Sequence, residues 1–297
     1  RTATDQEVIG NAAYALAEIG TERAYEILLD ATGNPDPFRR RAGVAGLLHM
    51  RDPRAGGALE TLAQVDPEKA VRKIAIIALG EIGTGRSVPT LLNVFRTETE
   101  PDVRAGAALA LGNLGDSRAV PDLLAEASDP THNTFPRFAS VVALGPLGDP
   151  QAYSGLVSIY EESDPTGNND MKLFALMGVV ATGGEQGRAY LRGVLASPPE
   201  ARAKQVNPYT IVDCLRHWPH PAAADALRAM AVDDADMEVR QAAYEALDAR
   251  GERDLPAPPL RPIPSGPIEY YRPPPGYDEK LPGANPDFPA ESPGAKK

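Results

Sequence analysis

A repeat of 32 to 35 residues runs through most of the chain, and it constrains the fold more than any other feature of the sequence. The segment DVRAGAALALGNLGDSRAVPDLLAEA (Asp102 to Ala127) has a close relative in EKAVRKIAIIALGEIGTGRSVPTLLNVF (Glu68 to Phe95), with weaker copies on either side. A basic residue opens each copy at Arg39, Arg72, Arg104, Arg137 and Lys172, in steps of 33, 32, 33 and 35 residues, and Arg240 opens the last. Turn residues divide the copies at Gly20, Arg51-Asp52-Pro53, Gly83, Gly115, Gly148, Gly183-Gly184, Trp218-Pro219 and Gly251. That makes seven two-part units and one half-unit. A unit this small cannot bury an apolar face alone, so it must stack on its neighbours and the fold grows in one dimension.

Each half-unit reads as a short helix. Residues 105 to 112 are all Ala, Gly or Leu, so the first helix of the fourth unit is apolar nearly all round and needs cover on several sides; Leu109 is expected to be buried between units. Gly115 suits the left-handed position that ends a helix, and Asp116 or Ser117 can cap the next one. Pro121 falls near the start of that second helix, where a missing N–H costs least. The half-unit from Met237 to Glu252 sets Val239, Ala242, Ala243, Ala246 and Leu247 on one side and Arg240, Gln241, Glu245, Asp248 and Arg250 elsewhere, the pattern of a terminal cap. Beyond it, residues 252–297 hold 13 of the 30 prolines and show no helical period, which predicts an extended tail of polyproline character.

These motifs resemble the HEAT-like repeats of the phycobilisome lyase family, over residues 5 to 250 and most closely in the third and fourth units. The resemblance implies an all-α fold: a right-handed α-solenoid of about seven and a half HEAT-like helical hairpins over residues 1–251, with the proline-rich tail at 252–297. It specifies fold far better than function, because such repeats serve as chromophore-lyase subunits, scaffolds, adaptors and, in one branch, iron-dependent hydroxylases. That last branch uses His-Glu pairs, and the four histidines here are followed by Met50, Asn133, Trp218 and Pro221, so it is rejected.

Few residues carry chemistry. His217 and His220 flank a Trp-Pro turn without a carboxylate or cysteine at a recognised metal spacing, and a turn capped by polar rings is the favoured reading. Cys214 and His217 share a helix face, yet Cys214 falls among Ile211, Val212 and Leu215, where a free cysteine acts as a small hydrophobe. Asp164, Thr166, Asn168 and Asp170 alternate in a spacing that can gather calcium ligands, but the turn glycine and distal Glu of an EF-hand loop are missing, and a lengthened inter-repeat turn is favoured. No cofactor is expected.

Charge narrows the partners. With 30 Lys+Arg against 41 Asp+Glu the net charge is -11, which argues against nucleic-acid binding. The longest uncharged stretches, Phe138 to Gly148 and Leu173 to Gly184, fall short of the roughly 20 apolar residues of a membrane span. Acidic residues recur on the second helices at Glu22, Glu26, Asp122, Glu126, Glu161 and Glu162; the resemblance implies that these helices line the concave face, which would then suit a basic or polar partner segment. Arg86, Arg96, Arg188 and Arg192 interrupt that pattern. In the tail, Ile268, Tyr270, Tyr271, Tyr277, Leu281 and Phe288 are apolar anchors on a stiffened backbone, as a docking arm needs, and Pro274-Pro275-Gly276-Tyr277 matches the short pattern read by WW domains. The function expected is a non-catalytic protein-interaction scaffold or accessory subunit of a larger assembly; a tetrapyrrole (bilin) lyase-type enzyme subunit is the alternative. Arg1 stands where an initiator Met would be, which cleavage of a leader explains, so a periplasmic, envelope or secreted location is favoured over the cytoplasm. The single cysteine leaves the redox compartment open.

Overall fold

The computed structural model describes residues 3–163, 169–196, 206–234 and 236–256. The chain divides into two units, Arg1–Pro259 and Leu260–Lys297, and every described residue belongs to the first. That unit is a stack of helical hairpins: α1 (Ala3–Ile19) with α2 (Glu22–Ala31), α3 (Pro37–Met50) with α4 (Gly56–Val65), and α5 (Lys69–Ile82) with α6 (Val88–Thr97). Next come α7 (Pro101–Leu114) with α8 (Val120–Ser128), α9 (Thr134–Leu147) with α10 (Tyr153–Glu162), and α11 (Asn169–Thr182) with α12 (Gly184–Leu195). The stack closes with α13 (Pro208–His217), α14 (Pro221–Asp233) and α15 (Met237–Ala249). Among the described residues there is no strand, and the all-α solenoid expected from the repeat is what forms.

Local chemistry sets each hairpin. Gly115 and Gly148 end their helices at φ 67° and 59°, as the left-handed position requires. Arg51 takes the same conformation at φ 52° without a glycine's freedom. Gly83 differs: its φ is -68°, and it must be glycine because a Cβ would collide with the Leu79 carbonyl. Asp52, Asp116 and Asp149 recur at the turn, and each carboxylate accepts the N–H two residues on, from Arg54 (2.9 Å), Arg118 (3.0 Å) and Gln151 (2.8 Å). Each thereby opens the short 3₁₀ turn that leads into the second helix.

Between units the first helices approach most closely, because small residues meet there. A Cβ added to Gly80 would sit 2.9 Å from Ala110 Cα, and one on Gly112 would sit 2.8 Å from Ala143 Cα. Backbone thus packs nearly on backbone, and Leu79, Leu111 and Leu144 fill the seam toward the second helices with no exposed surface. In most units the opening basic residue ties the unit to the loop before it. Arg72 donates to the Asp66 carbonyl (3.1 Å) and, in a fork, to Glu98 at 2.8 and 3.2 Å. In the second unit that role falls to Arg40 rather than Arg39: Arg40 donates to the Asn34 carbonyl (3.0 Å) and to Asp66 at 2.7 and 2.8 Å, with the Asp66 side chain 2% exposed. Arg39 is exposed and only grazes Asp36 at 4.0 Å.

The regular stacking changes at the seventh unit. Here α14 packs against α11 and α12, while α13 packs on α14 and α15. Trp218, in place of the usual turn glycine, stacks on His220 with ring centroids 4.7 Å apart. The last helix buries Val239, Ala243, Ala246 and Leu247 and keeps a polar outer side, as its pattern predicts. Residues 252–255 remain attached: Arg228 binds Glu252 at 2.7 Å and the Asp254 carbonyl at 3.4 Å, and Leu255 packs on the core.

Candidate protein-interaction surface

The first helices carry an exposed apolar line. The residue five positions after the opening basic residue is Ala45, Ile77 and Leu109 in the second to fourth units, and Tyr14 holds the equivalent place in the first. Tyr14, Ile77 and Leu109 are 56%, 45% and 41% exposed, and Phe135, about two turns before the equivalent position on α9, is 52% exposed. Leu109 is therefore not buried between units as the helix's all-round apolarity predicts. A first helix touches the preceding unit, the following unit and its own second helix, which leaves one line of residues open. Ile77, Leu109 and Phe135 enclose a groove of ≈ 260 Å³ floored by Gly80, Gly106 and Ala110.

Charges rim this groove in compensated pairs. Lys69 reaches Glu100 (3.0 Å) and Asp102 (3.1 Å), Lys73 reaches Asp102 (3.4 Å), and Arg51 reaches Glu81 (3.2 Å). Hydrogen bonds from Lys69 and Lys73 hold the Asp102 carboxyl below its usual range against the upward push of its own desolvation. The carboxylates of Glu100 and then Asp102 raise Lys69. On the N-terminal side, Arg41 lies 5.6 Å over the Phe38 ring at a second shallow groove against Ala45 and Ile74.

The acidic set expected to form the partner surface lies on the second helices, but most of it is already engaged. Glu22 accepts from Arg54 (2.9 Å), Glu26 from Arg23 (2.8 Å) and Asp122 from Arg96 (2.7 Å). Glu161 accepts from the Tyr190 hydroxyl (3.0 Å), and Glu162 is exposed. Glu126 is buried, with 7% of its side chain exposed, between Arg104 (3.0 Å) and His132 (3.0 Å), so it cannot face a partner. The tail anchors Ile268, Tyr270, Tyr271, Tyr277, Leu281 and Phe288, and the loop residues Asp164, Thr166 and Asn168, lie outside the described residues.

The residues with latent chemistry are held in structural roles. Cys214 is half-buried against the core, and burial pushes its thiol upward, away from the thiolate a nucleophile needs. His217 is exposed and bonds back to the Asp213 carbonyl at 3.0 Å. His220 accepts the Ala222 N–H at 3.2 Å, capping α14, and burial lowers its pKa so that the ring stays neutral. Lys172 has the opening basic position of its unit but, among the described residues, no carboxylate within ion-pair distance; it lies 6% exposed, 4.7 Å over the Tyr160 ring, and burial lowers its pKa. Among the described residues no group of three or more His, Cys, Asp or Glu could hold a metal ion, and no helix is long and apolar enough to cross a membrane.

Stacked helical hairpins with a small-residue seam and one open apolar line define an α-solenoid of the helical-repeat class. The HEAT-repeat family model matches residues 1–80, 57–137 and 88–170, and the chain belongs to the HEAT repeats. Among solved structures it is similar to the complex of CpcE and CpcF of phycocyanin lyase from Nostoc sp. PCC7120, at 22% identity and a TM-score of 0.50, over 75% of this chain and 86% of that one. It also matches human deoxyhypusine hydroxylase in complex with glycerol at 20% identity, over 84% of this chain and 97% of that one, with a TM-score of 0.33. No curated protein matches the sequence.

Proposed function

We propose that this protein is a non-catalytic interaction scaffold, an accessory subunit of a larger assembly, which holds a polypeptide partner along its first-helix face and uses the proline-rich tail as a second docking arm. The observation that carries this reading is the line Tyr14, Ala45, Ile77, Leu109, exposed once in each of the first four repeats and rimmed by ion pairs that leave little net charge. Such a surface suits apolar anchors of a protein segment, with the paired rim excluding water around them. A net charge of -11 disfavours a nucleic-acid partner. The upward-shifted Cys214 thiol and the capping role of His220 favour structure over catalysis at these residues.

The test is native mass spectrometry of the complex purified from the source organism, with the protein unchanged and with Ile77→Asp and Leu109→Asp together. Both side chains are more than two-fifths exposed, so the double variant should fold and lose the co-purifying subunit. Deleting residues 257–297 should weaken the same assembly. Retention of the subunit in both variants would refute the reading. The similarity in fold to the CpcE and CpcF complex keeps a tetrapyrrole lyase-type subunit as the second reading, and stoichiometric visible absorbance of the purified protein would favour it.

A further inference from the structure

The N-terminal edge of the stack is built like an interface between repeats, but nothing among the described residues covers it. On α1, Val8 and Ile19 are each 62% exposed, whereas their counterparts Val71 and Ile82 are 0% and 8% exposed. Ala15 is exposed, whereas its counterparts Ala78 and Ala110 are 0% and 3% exposed, Ala110 lying against Gly80 of the preceding unit. With Ala12, these residues form a stripe at spacings of four, three and four along one helix, the pattern by which two helices pack side by side. The second helix agrees. Arg23 holds the position from which Arg54 reaches Glu22 and Arg118 reaches the Gly85 carbonyl, both in the unit before. Ile27, 41% exposed, stands where Asp122 accepts from Arg96, and Asp30 stands where Asn93 reaches Gln64.

We propose that this edge pairs with the same edge of a second copy, the two α1 helices running antiparallel about a two-fold axis. The stripe is self-complementary about a point between Ala12 and Ala15: Val8 then meets Ile19 of the second copy, and Ala12 meets its Ala15, so small residues sit where the helices cross and larger ones flank them. The charges match in the same arrangement. Arg23 and Asp30 flank Ile27, so the two-fold brings each Arg23 to the Asp30 of the second copy. Arg23 now bonds Glu26 at 2.8 Å with 78% of its side chain exposed, an arrangement it can leave at little cost. The opposite end of the stack offers no such match, since α15 presents Gln241, Glu245 and Asp248, and a head-to-tail filament is disfavoured. This edge is distinct from the first-helix groove, so its failure would leave the scaffold reading untouched.

Sedimentation equilibrium of the full chain over a roughly hundredfold concentration range should show reversible dimerisation. Ala15→Glu places a carboxylate at the helix crossing and should give a monomer throughout; its circular dichroism should not change, and its Tm should equal the parent's at concentrations where the parent is monomeric, because Ala15 is exposed in the single copy. Arg23→Glu alone should weaken the dimer by about tenfold, and Arg23→Glu with Asp30→Arg should restore it to within about threefold, because the reversed pair is again complementary. A parent protein that stays monomeric across the range overturns the proposal, as does a dimer that Ala15→Glu or Arg23→Glu leaves intact.

Discussion

Three glycines on one helix give a test of the close approach between first helices. Gly106, Gly112 and Gly115 lie within or at the end of α7, and a Cβ at each meets a different environment. At Gly106 nothing lies nearer than Ile76 Cγ2 at 3.7 Å, an ordinary contact, so Gly106→Ala should gain the helix-interior preference of alanine, about 0.5 to 1 kcal/mol. At Gly112 the same preference is opposed by Ala143, whose Cα and Cβ would lie 2.8 Å away and whose carbonyl oxygen 3.0 Å away. Those atoms are mostly backbone and cannot rotate aside. Forcing α7 and α9 apart should cost about 1 to 3 kcal/mol, so Gly112→Ala should be a net loss of about 1 kcal/mol or more. At Gly115 there is open space but φ is 67°, and Gly115→Ala should cost about 1 kcal/mol for the left-handed backbone alone. Urea unfolding followed by far-UV circular dichroism orders the three, with midpoints compared only where the slope is unchanged, since a repeat array can lose cooperativity. Gly112→Ala matching or exceeding the stability of Gly106→Ala would refute backbone-on-backbone packing.

Further outcomes follow from burial and titration. Leu111→Ala, at a side chain with no exposed surface, should cost about 2 to 5 kcal/mol, whereas Leu109→Ala should cost about 1 kcal/mol or less; equal urea midpoints would show that the face is misassigned. Arg40→Ala strips the partner from an Asp66 carboxylate that is 2% exposed and should cost about 3 kcal/mol, with Arg40→Lys recovering only part because a lysine cannot form the fork. His220 caps α14 only while neutral, and its folded pKa lies below the ordinary 6.5, so the cap contributes fully above that value and is lost as pH falls through the folded pKa. His220→Asn keeps an acceptor that does not titrate, so the drop in Tm between neutral and acid pH should be smaller in the variant than in the parent.

The candidate surface was only partly legible in the sequence. Acidic residues on second helices stand out by composition, but composition cannot show that Glu126 is enclosed by Arg104 and His132 or that Asp122 is already bonded to Arg96. The apolar line was harder to see. In a helix whose residues 105 to 112 are all Ala, Gly or Leu, no polar residue marks the open side. The register was nonetheless present in the sequence: Ile77 and Leu109 recur five positions after Arg72 and Arg104, so aligning the units on their basic residues picks out the line. The choice between Arg39 and Arg40 shows the limit of that alignment, since adjacent arginines fit the period almost equally and only the bonds to Asn34 and Asp66 separate them.

The sequence by itself determined the number of units, the hairpin within each and the turns between them. These depend on short-range chemistry: a carboxylate two residues from the N–H it accepts, a glycine where φ is positive, a proline where no donor is needed. The tertiary structure decided which side of each helix is covered. That depends on how closely two stacked helices approach, and the approach is set by pairs such as Gly80 with Ala110 and Gly112 with Ala143, which are distant in the chain and adjacent only after stacking. Where both partners are small the first helices close up and Leu109 is left facing outward, and on α1 Val8, Ala15 and Ile19 keep the character of an interface while no described residue covers them.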